Sequence, residues 1–253
     1  MSRLPLHNRK ALVTGASRGI GAAIARHLAA SGARVAVHFG SAEDDARAVC
    51  DSLAGEGHTT LRANLEDSDS AADLPHRAAE ALGGLDIVVN NAGIFVPHDT
   101  TAGEDAWRET WDRTIAVNLT APAVILKSAV EHLERAGGGH IVNITSRGAF
   151  RGEPEAPAYG AAKAGLNSLT QSLALKLAPL KIHAVAVAPG WVQTDMTEEF
   201  LAGSGGQAIR SQSPLNRTAT VDEIAEVVEM AVCGRADALT GAVIDVNCAS
   251  YFR

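Results

Sequence analysis

The chain has 253 residues, 46% of them hydrophobic, and carries 22 Lys and Arg against 29 Asp and Glu, a net charge of −7. This length suits one α/β domain, residues 1–253, with a substantial core, and the acidic balance without a basic tract argues against nucleic acid or an anionic membrane surface as main partner. Apolar residues come in short Ala/Val/Leu runs, none expected to cross a membrane. The first six residues lack the apolar stretch of a signal peptide. Cys50, Cys233 and Cys248 are odd in number and far apart, so a reduced, cytoplasmic compartment and no metal site are expected.

Strand-like and helix-like patterns alternate along the chain. Strands are predicted at 10–14, 33–38, 58–63, 85–90, 139–145, 181–188 and 242–247. Helices are predicted near 19–31, 42–54, 69–82, 104–135, 156–178 and 221–233. Such alternation implies a doubly wound parallel sheet of about seven strands, covered on both faces, with ligands at the C-terminal strand ends. Between the first strand and helix runs Thr14-Gly15-Ala16-Ser17-Arg18-Gly19-Ile20-Gly21. Glycine permits the sharp turn and lets backbone N–H groups approach a pyrophosphate, while the helix N-terminus adds its positive dipole end. The spacing is Gly-x-x-x-Gly-x-Gly, not the commoner Gly-x-Gly-x-x-Gly.

After the second strand comes His38-Phe39-Gly40-Ser41, with no carboxylate before Glu43. An acid there would repel a 2′-phosphate, whereas Ser41 can donate to one and Arg18 can meet it as a charged fork. NADP(H) is therefore favoured. NAD(H) is the alternative, with Glu43 binding the ribose. Farther on, Ser146 follows a strand, and Tyr159 and Lys163 lie one turn apart on a helix. A phenol beside an ammonium, with a serine hydroxyl on the reacting oxygen, suits proton transfer at a carbonyl or hydroxyl. Lys163 is expected to lower the pKa of Tyr159. The nine histidines show no close pairing in the sequence and read as surface or packing residues.

These segments together resemble the classical short-chain dehydrogenase/reductase family, particularly members like the 3-oxoacyl-(acyl-carrier-protein) reductases, over essentially the whole chain. Thr14 to Gly21, Asn90-Asn91-Ala92-Gly93, Asn118, the set Ser146, Tyr159 and Lys163, and Pro189 to Thr194 fall in the family's order. The resemblance implies Asn118, Ser146, Tyr159 and Lys163 as catalytic residues, with Asn118 holding a proton-relay water. Its plain alternative is an asparagine satisfying backbone groups in a bent helix. The implied cofactor residues are Gly15, Ser17, Arg18, Gly19, Ile20 and Gly21 in the turn, with Ser41, Asn64 and Leu65 after the second and third strands. Asn91, Ala92 and Gly93, then Tyr159 and Lys163, then Pro189, Gly190, Val192 and Thr194 complete the set. Val246-Asn247-Cys248-Ala249 departs from the family's Val-Asp-Gly-Gly and puts that turn in question.

The resemblance also implies a substrate-covering segment near 191–215 and a small carbonyl or alcohol substrate, an acyl thioester among the choices. A free sugar, cyclic alcohol or oxo-acid is the alternative, since Glu131 and Glu134 on an acidic chain do not suit an acidic carrier protein. The substrate pocket is expected from Phe95, His98, Phe150, Trp191, Met196, Phe200 and Leu201, with Arg147, Arg151 and Glu153 as polar candidates. A nucleotide-binding scaffold would not need the proton-transfer set, so an enzyme is expected. Small residues Ala161, Ala164, Gly165, Ser168 and Ser172, with the apolar run Val124, Ile125 and Leu126, and the family's habit imply a homotetramer.

Overall fold

A computed structural model describes residues 4–194, 197, 201–203 and 205–253. Seven parallel strands form one sheet in the order β3-β2-β1-β4-β5-β6-β7: β1 (Lys10–Val13), β2 (Arg34–Phe39), β3 (Thr59–Arg62), β4 (Ile87–Asn90), β5 (Gly139–Ile144), β6 (Ile182–Pro189) and β7 (Val243–Val246). The chain runs outward from β1 to β3, then returns to place β4 on the other side of β1. That reversal opens a crevice at the C-terminal strand ends, where open α/β sheets bind ligands.

Strand side chains alternate between the two faces, and helices cover both. Ala11, Val13, Val35, Val37 and Val89 pack with α1 (Gly19–Ala30) and with Val221–Val232 near the C-terminus. Leu12, Ala36 and Val88 pack on the other face with α3 (Ser68–Leu82), α5 (Ala121–Arg135) and α7 (Pro157–Leu177). This two-sided burial explains why the strands read as continuous apolar runs. Helix ends carry their own signals. Asp67 caps α3 by accepting from the N–H of Asp69 at 2.9 Å, and Thr220 and Glu223 form a reciprocal capping box at the start of Val221–Val232.

The predicted single helix over 104–135 is interrupted. It divides into α4 (Glu104–Ile115), a π-helical segment Ala116–Thr120, and α5. Pro122 supplies the physical reason. In an α-helix the carbonyl of Asn118 would accept from the N–H of residue 122, and proline has none. This run is apolar and long enough for a membrane span, with a mean hydropathy of 1.2 over its best window, against the expectation that no segment would qualify. Half of that window is buried inside the protein, as in a core helix. Two short helices escaped the sequence pattern: α6 (Gly148–Arg151) and α8 (Gly206–Arg210); Val221–Val232 is α9.

The departing turn after β7 keeps its course with left-handed backbone at two non-glycine residues, Cys248 (φ 53°) and Ala249 (φ 58°). Such residues normally cost about 1–2 kcal/mol each. Ser213 Oγ donates to the Cys248 carbonyl at 2.6 Å and helps hold the turn.

Candidate active site

A cleft of about 500 Å³ opens at the C-terminal ends of the central strands. Its first wall is the turn between β1 and α1. Gly15 sits at φ 61°, and a Cβ there would lie 2.8 Å from the Ala92 Cα. A Cβ on Gly21 would meet the Gly15 carbonyl oxygen at 2.3 Å and Asn91 Nδ2 at 2.5 Å. Gly21 therefore does not line the cleft, contrary to its expected contact role. Its missing side chain lets helix and turn close against each other. Gly15, Ser17, Arg18, Gly19 and Ile20 do line it. Arg18 is exposed at the N-cap of α1, and its side chain makes no hydrogen bond among the described residues.

Two residues that hold this turn were not singled out from the sequence. Thr14 Oγ1 accepts the N–H groups of Asn91 and Ala92, both at 3.0 Å, tying β1 to the end of β4. His38, buried at the end of β2, accepts the Gly15 N–H on Nδ1 at 3.0 Å. Its Nε2 lies 3.3 Å from the Ala63 carbonyl and donates to it. Burial drives the His38 pKa down to about 4, so it is a neutral strut joining three strand ends. A histidine in an otherwise apolar strand was the available signal. Asn91 Nδ2 completes the frame by donating to the carbonyls of Thr14 and Gly15.

The end of the cleft expected to take adenosine is lined by Ser41, Asn64 and Leu65. Ser41 is exposed. Glu43 begins α2 (Glu43–Asp51), lies off the cleft and pairs with Arg47 at 2.6 Å. Asn64 Oδ1 accepts from the Glu66 N–H at 3.1 Å, which leaves its amide N–H groups for a ligand.

The opposite wall carries the proton-transfer set. β5 delivers Ser146 to the strand end, and Pro157 opens α7 so that Tyr159 falls in its first turn. Ser146 accepts the Gly148 N–H at 3.0 Å and hydrogen-bonds Tyr159. Lys163 is buried, donates to the Ile144 carbonyl at 2.9 Å and sits 5.6 Å from the centre of the Tyr159 ring. All three line the cleft, with Asn91, Ala92, Gly93, Pro189, Gly190, Val192 and Thr194 between the walls.

The expected lowering of the Tyr159 pKa by Lys163 is not what the geometry gives. Burial pushes the phenol up to about 12, outweighing the lowering by Ser146, and Glu153 adds to the rise. Tyr159 faces the open cleft and is partly exposed, so solvent moderates that rise. Lys163 spends its ammonium on the Ile144 carbonyl, and burial brings its own pKa down to about 8.

Asn118 lies off the cleft, in the π-helical segment and fully buried. Its Oδ1 accepts the Ile94 N–H and its Nδ2 donates to the Ile94 carbonyl, both at 2.8 Å. A Cβ on Gly93 would come within 3.0 Å of that Oδ1 and 3.5 Å of Lys163 Nζ. The side chain is thus a staple beside the lysine, tying the π-helical segment to Ile94. Any relay water would fall to its backbone carbonyl, which Pro122 cannot engage.

The expected substrate residues divide. Phe95 meets the Tyr159 ring edge-on at 5.2 Å, and Glu153 packs against Gly148 near the phenol. Phe150 instead packs with Ala186, Ala188 and Val243 and lies under Arg253. His98 turns into its own loop, with Nδ1 3.0 Å from the Val96 carbonyl. Arg147 is buried and donates to Ser250 Oγ at 2.6 Å and Gln212 Oε1 at 2.7 Å, so it ties the C-terminus to the 206–213 stretch rather than facing a substrate. Arg151 is exposed, and Leu201 is partly buried with its carbonyl taken by Arg210. Trp191 is partly buried, while Met196 and Phe200 lie outside the described residues. Cys50, Cys233 and Cys248 are all free thiols. Burial raises the pKa of Cys248, in keeping with a packed group.

A family model described as short chain dehydrogenase matches residues 9–204. The chain belongs to the classical short-chain dehydrogenase/reductase family. It is 37% identical to a cis-4-hydroxycyclohexanecarboxylate dehydrogenase from Sinomonas cyclohexanicum, over 94% of this chain and 95% of that one. It is 34% identical to a 3-oxoacyl-[acyl-carrier-protein] reductase of Staphylococcus epidermidis, over 96% and 99% of the two chains. Among solved structures, a short-chain dehydrogenase from Burkholderia cenocepacia in complex with NADP superposes with a TM-score of 0.87 at 34% identity, covering 98% of this chain and 99% of that one. This short-chain dehydrogenase/reductase is accordingly an NAD(P)-dependent oxidoreductase.

Proposed function

We propose that this enzyme interconverts a carbonyl and a secondary alcohol with NADP(H), in the manner of a 3-oxoacyl reductase. The observation that carries the reading is the cleft with a glycine-shaped wall facing Ser146, Tyr159 and Lys163. The residues suit a dinucleotide. Gly15 and Gly21 leave room where a Cβ would clash, and Arg18 and Ser41 stand uncommitted at the adenosine end. Glu43, the acid that the NAD(H) alternative needs, is engaged with Arg47. When bound, the nicotinamide supplies or accepts the hydride.

Tyr159 donates the proton to the carbonyl oxygen, and Ser146 positions that oxygen by hydrogen bonding. Burial keeps the resting phenol protonated, which serves reduction. Lys163, still largely charged at neutral pH with a pKa of about 8, steadies the phenolate formed during turnover. It also offers donors to the nicotinamide ribose. The backbone carbonyl of Asn118 holds a water that returns a proton toward Lys163. Roles of this kind contribute about 10²–10⁴-fold in rate.

A second reading, dehydrogenation of a free cyclic alcohol, draws on the resemblance to the cyclohexanecarboxylate enzyme. It also draws on the acidic character of the chain, which does not suit an acidic carrier protein. Ala161, Ala164, Ser168 and Ser172 are exposed on α7 and support assembly as a homotetramer, although Gly165 is already covered by Leu119. A cytoplasmic setting accords with the free thiols. A cofactor-oxidation screen with NADPH and NADH in parallel, over 3-oxoacyl thioesters, 4-oxocyclohexanecarboxylate, sugars and oxo-acids, tests the reading. NADPH-driven turnover of a thioester supports it; turnover of cyclic ketones alone transfers support to the second, and no oxidation with any carbonyl overturns both.

A further inference from the structure

Two histidines and a carboxylate meet on the surface between α3 and α5, which pack against each other. None of the three lines the cleft. His76, on α3, brings Nδ1 to 2.8 Å from Nε2 of His132 on α5. Glu131, also on α5, places Oε1 3.3 Å from the first nitrogen and 3.6 Å from the second. No spacing in the sequence points to this pairing, because 56 positions separate the two histidines.

The three donor atoms define a triangle with sides of 2.8, 3.3 and 3.6 Å. A point equidistant from them lies about 1.9 Å from each, and raising it roughly 0.8 Å out of their plane gives the 2.0–2.1 Å bonds that zinc makes to imidazole and carboxylate. Tetrahedral zinc has donor–donor edges of about 3.3 Å by the same geometry, so the triangle needs little adjustment.

The surroundings fit as well. Arg135 donates to the other carboxylate oxygen of Glu131 at 2.8 Å and orients Oε1 toward the histidines. The imidazole rings meet at 68° with centroids 5.0 Å apart, so their nitrogens converge without the rings stacking. The site is open to solvent on one side, which leaves a fourth position for water.

The competing explanation is an N–H···N hydrogen bond between two neutral imidazoles, and it uses the same lone pairs. A metal replaces it once the shared proton moves to an outward ring nitrogen or to solvent. Imidazole and carboxylate donors suit zinc among the divalent ions, whereas magnesium and calcium want oxygen alone.

We propose that His76, Glu131 and His132 form a zinc site that clamps α3 to α5, separate from the catalytic cleft. The site would add stability without taking part in the oxidoreductase chemistry.

The test uses the full chain freed of metal by a chelator, then dialysed and titrated with zinc chloride by calorimetry. One saturable equivalent is expected, and His76→Gln and His132→Gln should each weaken it by about tenfold or more. Cobalt(II) in place of zinc should give the visible absorption of a tetrahedral centre, absent in both variants. Zinc at a hundredfold excess over its dissociation constant should raise the melting temperature of the native sequence by roughly 5–10 °C. His76 is exposed and His132 partly buried, so the metal-free melting temperature of each variant checks that folding is intact. The absence of saturable binding in the native protein, or equal binding in both variants, would overturn the proposal.

Discussion

Replacing Asn118 with alanine tests whether its amide is a structural staple. The side chain makes two hydrogen bonds of 2.8 Å, one to the N–H and one to the carbonyl of Ile94, and is fully buried. The alanine variant leaves both backbone groups without a partner. Each such loss costs about 1–3 kcal/mol, and a water entering the vacated space would recover part of it. The net is about 2–4 kcal/mol, which for a chain of this size lowers the melting temperature by roughly 5–15 °C. The effect should extend to chemistry, because the next residue, Phe95, packs on the Tyr159 ring. Thermal unfolding followed by circular dichroism, with turnover measured well below the transition, is the assay. A melting temperature within about 2 °C of the native protein would place the change in the ordinary range of inconsequential substitutions and refute the staple.

The turn after β7 offers the reverse perturbation. Ala249→Gly removes the left-handed cost at φ 58°, about 1–2 kcal/mol, against a glycine entropy cost of about 0.5–1 kcal/mol. The melting temperature should rise by about 2–4 °C, and a fall would contradict the strain argument. Lys163 predicts a pH dependence. Its folded pKa of about 8 lies below the usual 10.5, so its ammonium form is lost as pH rises through about 8. For reduction, kcat/KM should decline across that range, and a plateau to pH 10 would remove Lys163 as the controlling group. The same sign makes burial of Lys163 destabilising at neutral pH, with the penalty relieved between about pH 8 and 10.5. Arg18→Ala should weaken NADPH binding about tenfold or more and leave NADH nearly unchanged. Equal weakening of both would assign Arg18 to the loop.

Short apolar runs alternating with helical patterning placed all seven strands within a residue or two, because buried parallel strands leave a continuous apolar trace. The cleft residues were legible for a related reason: the motifs end strands that the fold must bring together at one edge. What escaped depends on contacts between distant residues. The π-helical interruption at Ala116–Thr120 does not break the helical periodicity strongly enough to notice, although Pro122, four positions after Asn118, marks where the α-helical bond fails. His38 reads as one more strand residue until Gly15 and Ala63 are seen on its two nitrogens. Arg147 follows Ser146 in sequence, in the stretch expected to line the substrate pocket. Its partners, Gln212 and Ser250, are 65 and 103 positions away. The rise in the tyrosine pKa is encoded by no motif: it comes from burial, which outweighs the hydrogen bond with Ser146.

Single-turnover oxidation of NADPH by the Tyr159→Phe variant tests the central claim most directly. The substitution keeps the ring that packs against Phe95 and removes the oxygen that meets Ser146. The account predicts a rate at least ~10²-fold below that of the native enzyme, with NADPH binding by fluorescence titration essentially retained. A single-turnover rate near that of the native protein, with NADPH still bound, would contradict it.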